Sequence, residues 1–88
     1  MTHLSSLVTE FCEDRTAEGL SHHTVASYRQ TLSHFVSFVG GDTDPSEVTR
    51  KTVKSFLADR RQRGEATATL GGRHASLSAF WSWLVAEE

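Results

Sequence analysis

Three features of this 88-residue chain predict an all-α fold. Apolar residues recur at three-and-four spacing in four stretches, no stretch alternates with the period of two that strands show, and turn formers collect between the stretches. The implied architecture is a compact bundle of four main helices joined by short connections. A chain of this length fills one modest core and not two, so residues 1–88 are read as a single domain. No internal repeat or low-complexity tract is present.

The first helix is expected from Leu4 to about Ala17, where Leu4, Leu7, Val8 and Phe11 fall on one side. Glu10, Glu13, Asp14 and Glu18 give it an acidic outer face that suits phosphates poorly. The second occupies the stretch Gly19–Gly40, with Ser21 as N-cap and Gly40-Gly41 as stop. Its apolar stripe is Val25, Tyr28, Leu32, Phe35, Val36 and Val39. Tyr28, the only tyrosine, lies on that stripe and is read as core. A connector dense in turn formers follows, in which Asp44-Pro45-Ser46-Glu47 reads as one capped turn with Pro45 at the first helical position. The Gly-Gly pair before Asp42 is no phosphate loop, since the Gly-Lys-Ser/Thr ending and a preceding strand are missing.

Thr49 caps the third helix, with Val48 and Val53 placed as a hydrophobic staple and Gly64 as its stop. Arg60, Arg61 and Arg63 at its end complement the helix dipole without needing a ligand. Phosphate contact is the alternative for them. The fourth helix runs from about Thr67 to the end, with Leu70, Leu77, Phe80, Trp81 and Leu84 toward the core. His74 is expected to be partly packed into the core. Trp83 and Val85 lie on another side, exposed or buried against another chain. Gly71 and Gly72 weaken its first turns by about 1 kcal/mol each relative to Ala. Close helix packing or close approach of backbone to a ligand would account for them.

Composition excludes several function classes. Hydrophobic content of 38% with 23% charged residues is that of a soluble globular chain. No apolar run approaches the roughly 18 residues of a membrane span. The N-terminus MTHLSSLVTE lacks the features of a signal peptide, so a cytoplasmic location and no membrane partner are expected. Met1 directly ahead of the first helix points to a domain that begins its parent protein. Cys12, the single cysteine, has no partner for an internal disulfide and no CxxC neighbour, which makes it a structural thiol. His3, His22, His23, His34 and His74 form no metal signature, and no cofactor is implied. No acid, base and nucleophile cluster can be named, so no catalytic residue is assigned.

One surface stands out. Opposite its stripe, the second helix carries His23, Ala26, Ser27, Gln30, Ser33, His34 and Ser37, with Arg29 its only full charge. Short side chains with hydrogen-bonding ends let a helix approach another surface closely, and the major groove of DNA admits such a helix. A plain serine-rich solvated face is the other reading. The net charge of −2 argues against a strongly basic nucleic-acid binder. The charges are segregated, however, with six basic residues against Asp59 between Arg50 and Arg63.

Gly19-Leu20-Ser21, Thr24, Tyr28, Leu32, Phe35 and Phe38, followed by a second block of Ala68-Thr69-Leu70, Arg73, Leu77, Phe80 and Trp83-Leu84-Val85, resemble the N-terminal SAM-like, or core-binding, domain of tyrosine recombinases of the phage integrase and Xer type. The resemblance spans nearly the whole chain. It implies a four-helix SAM-like bundle that clamps double-stranded DNA at a recombination site. A separate C-terminal catalytic domain of the same parent carries a tyrosine nucleophile, and other recombinase protomers on the DNA are further partners. The positions matching the family's DNA contacts are Thr24, Ser27 and Gln30 on the second helix and Thr69 and Arg73 on the fourth, with His23 adding a contact at a helix start. Thr24 and Thr69 near helix N-termini suit phosphate oxygens, while Gln30 and Arg73 suit base edges. The alternative is a helical protein-interaction module that does not bind nucleic acid. A helix-turn-helix regulator fits less well, because no pair of short helices is joined by the 3 to 4 residue turn of that motif.

Overall fold

The computed structural model describes residues 3–87. They form α1 (Leu4–Ala17), α2 (His22–Val39), a 3-10 turn (Pro45–Glu47), α3 (Arg50–Gln62) and α4 (Thr67–Glu87), and no strand occurs among the described residues. Met1, on which the expectation of a domain that begins its parent rests, lies outside them.

The helix starts are set by the capping chemistry the sequence predicts. Ser21 Oγ accepts from the Thr24 amide at 3.2 Å. Thr49 and Thr52 satisfy each other's amides at the start of α3, where the hydroxyl of Thr52 replaces the usual Glu or Gln of the box. Asp44 accepts from the Ser46 amide at 2.9 Å, and the Glu47 carboxylate accepts from the Asp44 amide at 3.3 Å. The Ser46 amide, with the Ser46 hydroxyl donating at 2.7 Å, holds the Asp44 carboxyl below the usual carboxylate range. α1 is capped at a distance instead. Leu4 N–H donates to Thr43 O and Ser5 N–H to Gly41 O, both at 3.0 Å, so the loop after α2 takes up amides that have no partner inside the helix. Gly40 and Gly64 end α2 and α3 with φ of 101° and 94°, a left-handed turn that a Cβ would strain.

The core is assembled from one phenylalanine per helix. Phe11, Phe35, Phe56 and Phe80 are all essentially inaccessible. Phe11 meets Phe80 edge-on at 5.5 Å and Phe35 meets Phe56 edge-on at 5.2 Å, the arrangement that suits the ring quadrupole. Leu4, Leu32 and Cys12 fill the space around them. Tyr28 packs against this core with its ring 5.3 Å from that of Phe11. Burial raises the Cys12 thiol pKa, with the charge of nearby Arg29 opposing the shift.

Two expectations for α4 are corrected. Trp83 is buried at 7% exposure, stacked on Phe80 and edge-on to Phe11, and its Nε1 donates to Asp14 Oδ2 at 2.8 Å. α4 packs against α1, α2 and α3, so its buried arc is wider than one stripe. His74 is exposed, because α4 turns that position away from the core. Trp81 and Leu84 are half-buried and Val85 is exposed. Close packing within the chain does not account for Gly71 and Gly72, since a Cβ at either would meet nothing within 4 Å.

Candidate nucleic-acid interface

α2 and α4 pack in the same sense. Arg73 reaches Thr31, and further along both helices Trp81 lies edge-on to Phe35 at 5.9 Å. Both contacts advance toward the C-termini, so the two helices run in the same sense where they touch. This geometry sets Ser27 one turn before Thr31 and Thr69 one turn before Arg73.

Of the six residues singled out in the sequence, His23, Ser27, Gln30 and Thr69 are exposed. Thr24 is half-buried, and its hydroxyl pairs with Ser21 Oγ at 2.9 Å, so it belongs in part to the helix cap. Between these residues lie the exposed Ala26 and Ala68, whose methyl groups leave the helix backbones accessible. Exposed Gly71 and Gly72 extend the open surface along α4. Ala66, directly ahead of α4, has no side-chain acceptor, so the first amides of this helix keep their partial positive charge available to an anion.

Arg73 is placed differently from the other five. It is 7% exposed, and its guanidinium is turned inward: Nε donates to Glu65 Oε1 at 2.7 Å, Nη2 to Glu65 Oε2 at 2.9 Å and Nη1 to Thr31 Oγ1 at 3.2 Å. These bonds lower the Glu65 pKa. Arg60 approaches the same Glu65 Oε2 at 3.5 Å from the last turn of α3. Its Nε has no hydrogen-bond partner, the nearest carboxylate oxygen, on Asp59, being 3.9 Å away. His34 sits beside this cluster. Burial lowers its pKa, and the charges of Arg60 and Arg73 act in the same direction. Arg60 at the end of α3 therefore joins Arg73 at the Glu65 carboxylate, with His34 of α2 close by, which helix spacing could not show. Arg63 pairs with Asp59 at 3.0 Å, while Arg61 is exposed and forms no ion pair among the described residues.

Glu65 and Thr31 are the residues the sequence reading missed. Glu65 stands in a connection without periodicity, and Thr31 lies between the apolar stripe and the polar face of α2. A lone carboxylate in the turn ahead of a helix bearing a buried-phase arginine is the only signal that could have pointed to the pair. Among the described residues, no group of His, Cys, Asp and Glu has the geometry to hold a metal ion, and no helix is long and apolar enough to cross a membrane.

The family model for the phage integrase N-terminal SAM-like domain matches residues 8–88. Tyrosine recombinase XerD of Listeria monocytogenes serotype 4b is 31% identical over 86 residues, covering 93% of this chain and 29% of the relative. Tyrosine recombinase XerC of Thermodesulfovibrio yellowstonii is 25% identical over 88 residues, covering 99% of this chain and 29% of the relative. Tyrosine recombinase XerC of Roseiflexus castenholzii is 36% identical over 67 residues, covering 74% and 21%. The chain thus spans less than a third of the length of these relatives. No solved structure matches significantly.

Proposed function

Because the chain belongs to the phage integrase N-terminal SAM-like family, we propose that residues 1–88 are the core-binding domain of a tyrosine recombinase and grip duplex DNA for a separate catalytic domain. The observation that carries the reading is the same-sense packing of α2 and α4. It sets two helix starts with small, polar, exposed side chains on the same side of the Arg73–Thr31 contact. His23, Thr24, Ser27, Gln30 and Thr69 are the contact residues proposed, the hydroxyls and free amides for phosphate and Gln30 for a base edge. Gly71 and Gly72 allow the α4 backbone to approach the duplex without side chains in the way. In this reading the breaking and rejoining of DNA belongs to the catalytic domain, and this domain supplies position.

Binding by the domain alone is weak and salt-sensitive, because nine basic residues are offset by eleven acidic ones. Titrating a short duplex into the labelled chain at low salt and following amide NMR shifts tests this. Shifts are expected at residues 22–30 and 67–72. Shifts confined to Glu10–Glu18, or none at low salt, would reject the DNA reading. A protein-interaction module would then move ahead, a reading favoured by the net charge of −2 and the exposed Val85.

A further inference from the structure

α4 begins with little to hold it. Thr67, Ala68, Thr69, Gly71 and Gly72 are all exposed, so Leu70 and Arg73 are the only buried anchors of its first two turns. Glycines at two successive positions make this start more pliable than an ordinary helix. Yet it is the part that must stand at a fixed distance from α2 if both helices are to meet one duplex.

Arg73 supplies what the apolar contacts do not. Its side chain is 9% exposed and all three guanidinium nitrogens are engaged, two with Glu65 and one with Thr31. The Nη1 bond to Thr31 is the only polar side-chain link between α2 and α4 among the described residues. Crossing angles set by ridge-and-groove packing scatter by some ±15–20° from one helix pair to another, so apolar contact alone specifies the angle loosely. The two parallel bonds to Glu65 fix the plane of the guanidinium as well as its distance, which the single-point ammonium of a lysine cannot do. Arg60 meets the same carboxylate, so α2, α3, the α3–α4 connection and α4 are tied at one point.

We propose that Glu65 and Thr31 hold Arg73 as a positioning clamp that sets the angle and separation of the N-terminal halves of α2 and α4, so that Arg73 governs DNA affinity through helix geometry and not by touching DNA. This rests on the DNA-binding reading above. Arg73 is accordingly a positioning residue, and Glu65 contributes to binding although it carries the wrong charge for a phosphate contact.

The sign of the Glu65→Gln effect separates this from a direct role for Arg73. If Glu65 merely masked an arginine that contacts DNA, the variant would free it and remove one negative charge. Binding would then tighten, with a steeper salt dependence. A clamp predicts the reverse, because the binding-competent arrangement becomes a smaller fraction of the ensemble and apparent affinity falls by that fraction, here about three- to tenfold. The experiment compares the wild-type chain with Glu65→Gln, Arg73→Lys and Glu13→Gln. The last makes the same charge change on the exposed acidic face of α1. Duplex affinity is measured by NMR titration across salt concentrations, and circular dichroism monitors folding at the same temperature. Glu65→Gln and Arg73→Lys are expected to bind several-fold more weakly than Glu13→Gln, without a steeper salt slope and with altered amide shifts at residues 67–72 of the free protein. Thr31→Val, which removes one bond and keeps the side-chain shape, is expected to show a smaller loss in the same direction and replaces Glu65→Gln if that variant unfolds. Binding of Glu65→Gln as tight as that of Glu13→Gln, or of Thr31→Val as tight as wild type where Glu65→Gln is unfolded, overturns the clamp alone. A wild-type chain that shows no shift with duplex at low salt removes the DNA reading, and this proposal with it.

Discussion

Trp83 offers the sharpest test of how α4 is seated. Its indole is 7% exposed between Phe11 and Phe80, and its Nε1 donates to Asp14 Oδ2 at 2.8 Å, tying α1 to α4 across 69 residues of sequence. Replacing Trp83 by Phe keeps an aromatic ring against both neighbours and removes the donor. Hydrogen bonds to charged groups contribute about 1.5–3 kcal/mol. Asp14 is exposed and regains water when the donor goes, so the lower end of that range applies, about 1–2 kcal/mol including the smaller ring. For a domain of this size that corresponds to a fall in Tm of roughly 4–16 °C. Asp14→Ala breaks the same bond from the other side, and in a double-mutant cycle the two changes are expected to couple by about 1 kcal/mol. Urea denaturation followed by circular dichroism measures all four species, with exposed Val85→Ala as a control expected to stay within about 0.5 kcal/mol of wild type. A Trp83→Phe variant as stable as the control, with no coupling to Asp14→Ala, would refute the seating of α4 on α1.

Two further outcomes follow from the titration behaviour of buried and paired groups. The folded pKa of Glu65 lies below its unfolded value because of the Arg73 bonds, so its contribution to stability is present in full above the unfolded value of about 4.3 and is lost as pH falls through the folded one. Wild-type Tm is therefore expected to drop more steeply below about pH 4.3 than that of Glu65→Gln, which has no carboxylate to protonate, and parallel acid profiles would contradict the pairing. Cys12 is 2% exposed with its pKa raised by burial, so a thiol reagent at neutral pH should label it in urea and scarcely at all in the native chain. Rapid native labelling would show that the α1 side of the core is open.

Much of this protein was determined by local sequence. The caps at Ser21, Asp44 and Thr49 and the stops at Gly40 and Gly64 act within four or five residues of themselves, so they set the helix boundaries whatever the rest of the chain does. The polar face of α2 is likewise a property of one helix, legible from its spacing. What the tertiary structure decided are matters between helices. A narrow single-stripe reading leaves Trp83 outside the core, yet α4 packs against three helices, and the wider buried arc that results takes Trp83 in. His74 took the opposite fate, lying just past the other edge of that arc among the exposed residues of α4. Arg73 carries the same residue type that a base-reading position would carry. Only the arrival of Glu65 from the preceding turn and of Thr31 from 42 residues away makes its guanidinium an internal link. Helix periodicity determines which side of a helix a residue occupies, whereas whether that side meets water, core or a buried carboxylate depends on how the other helices close around it.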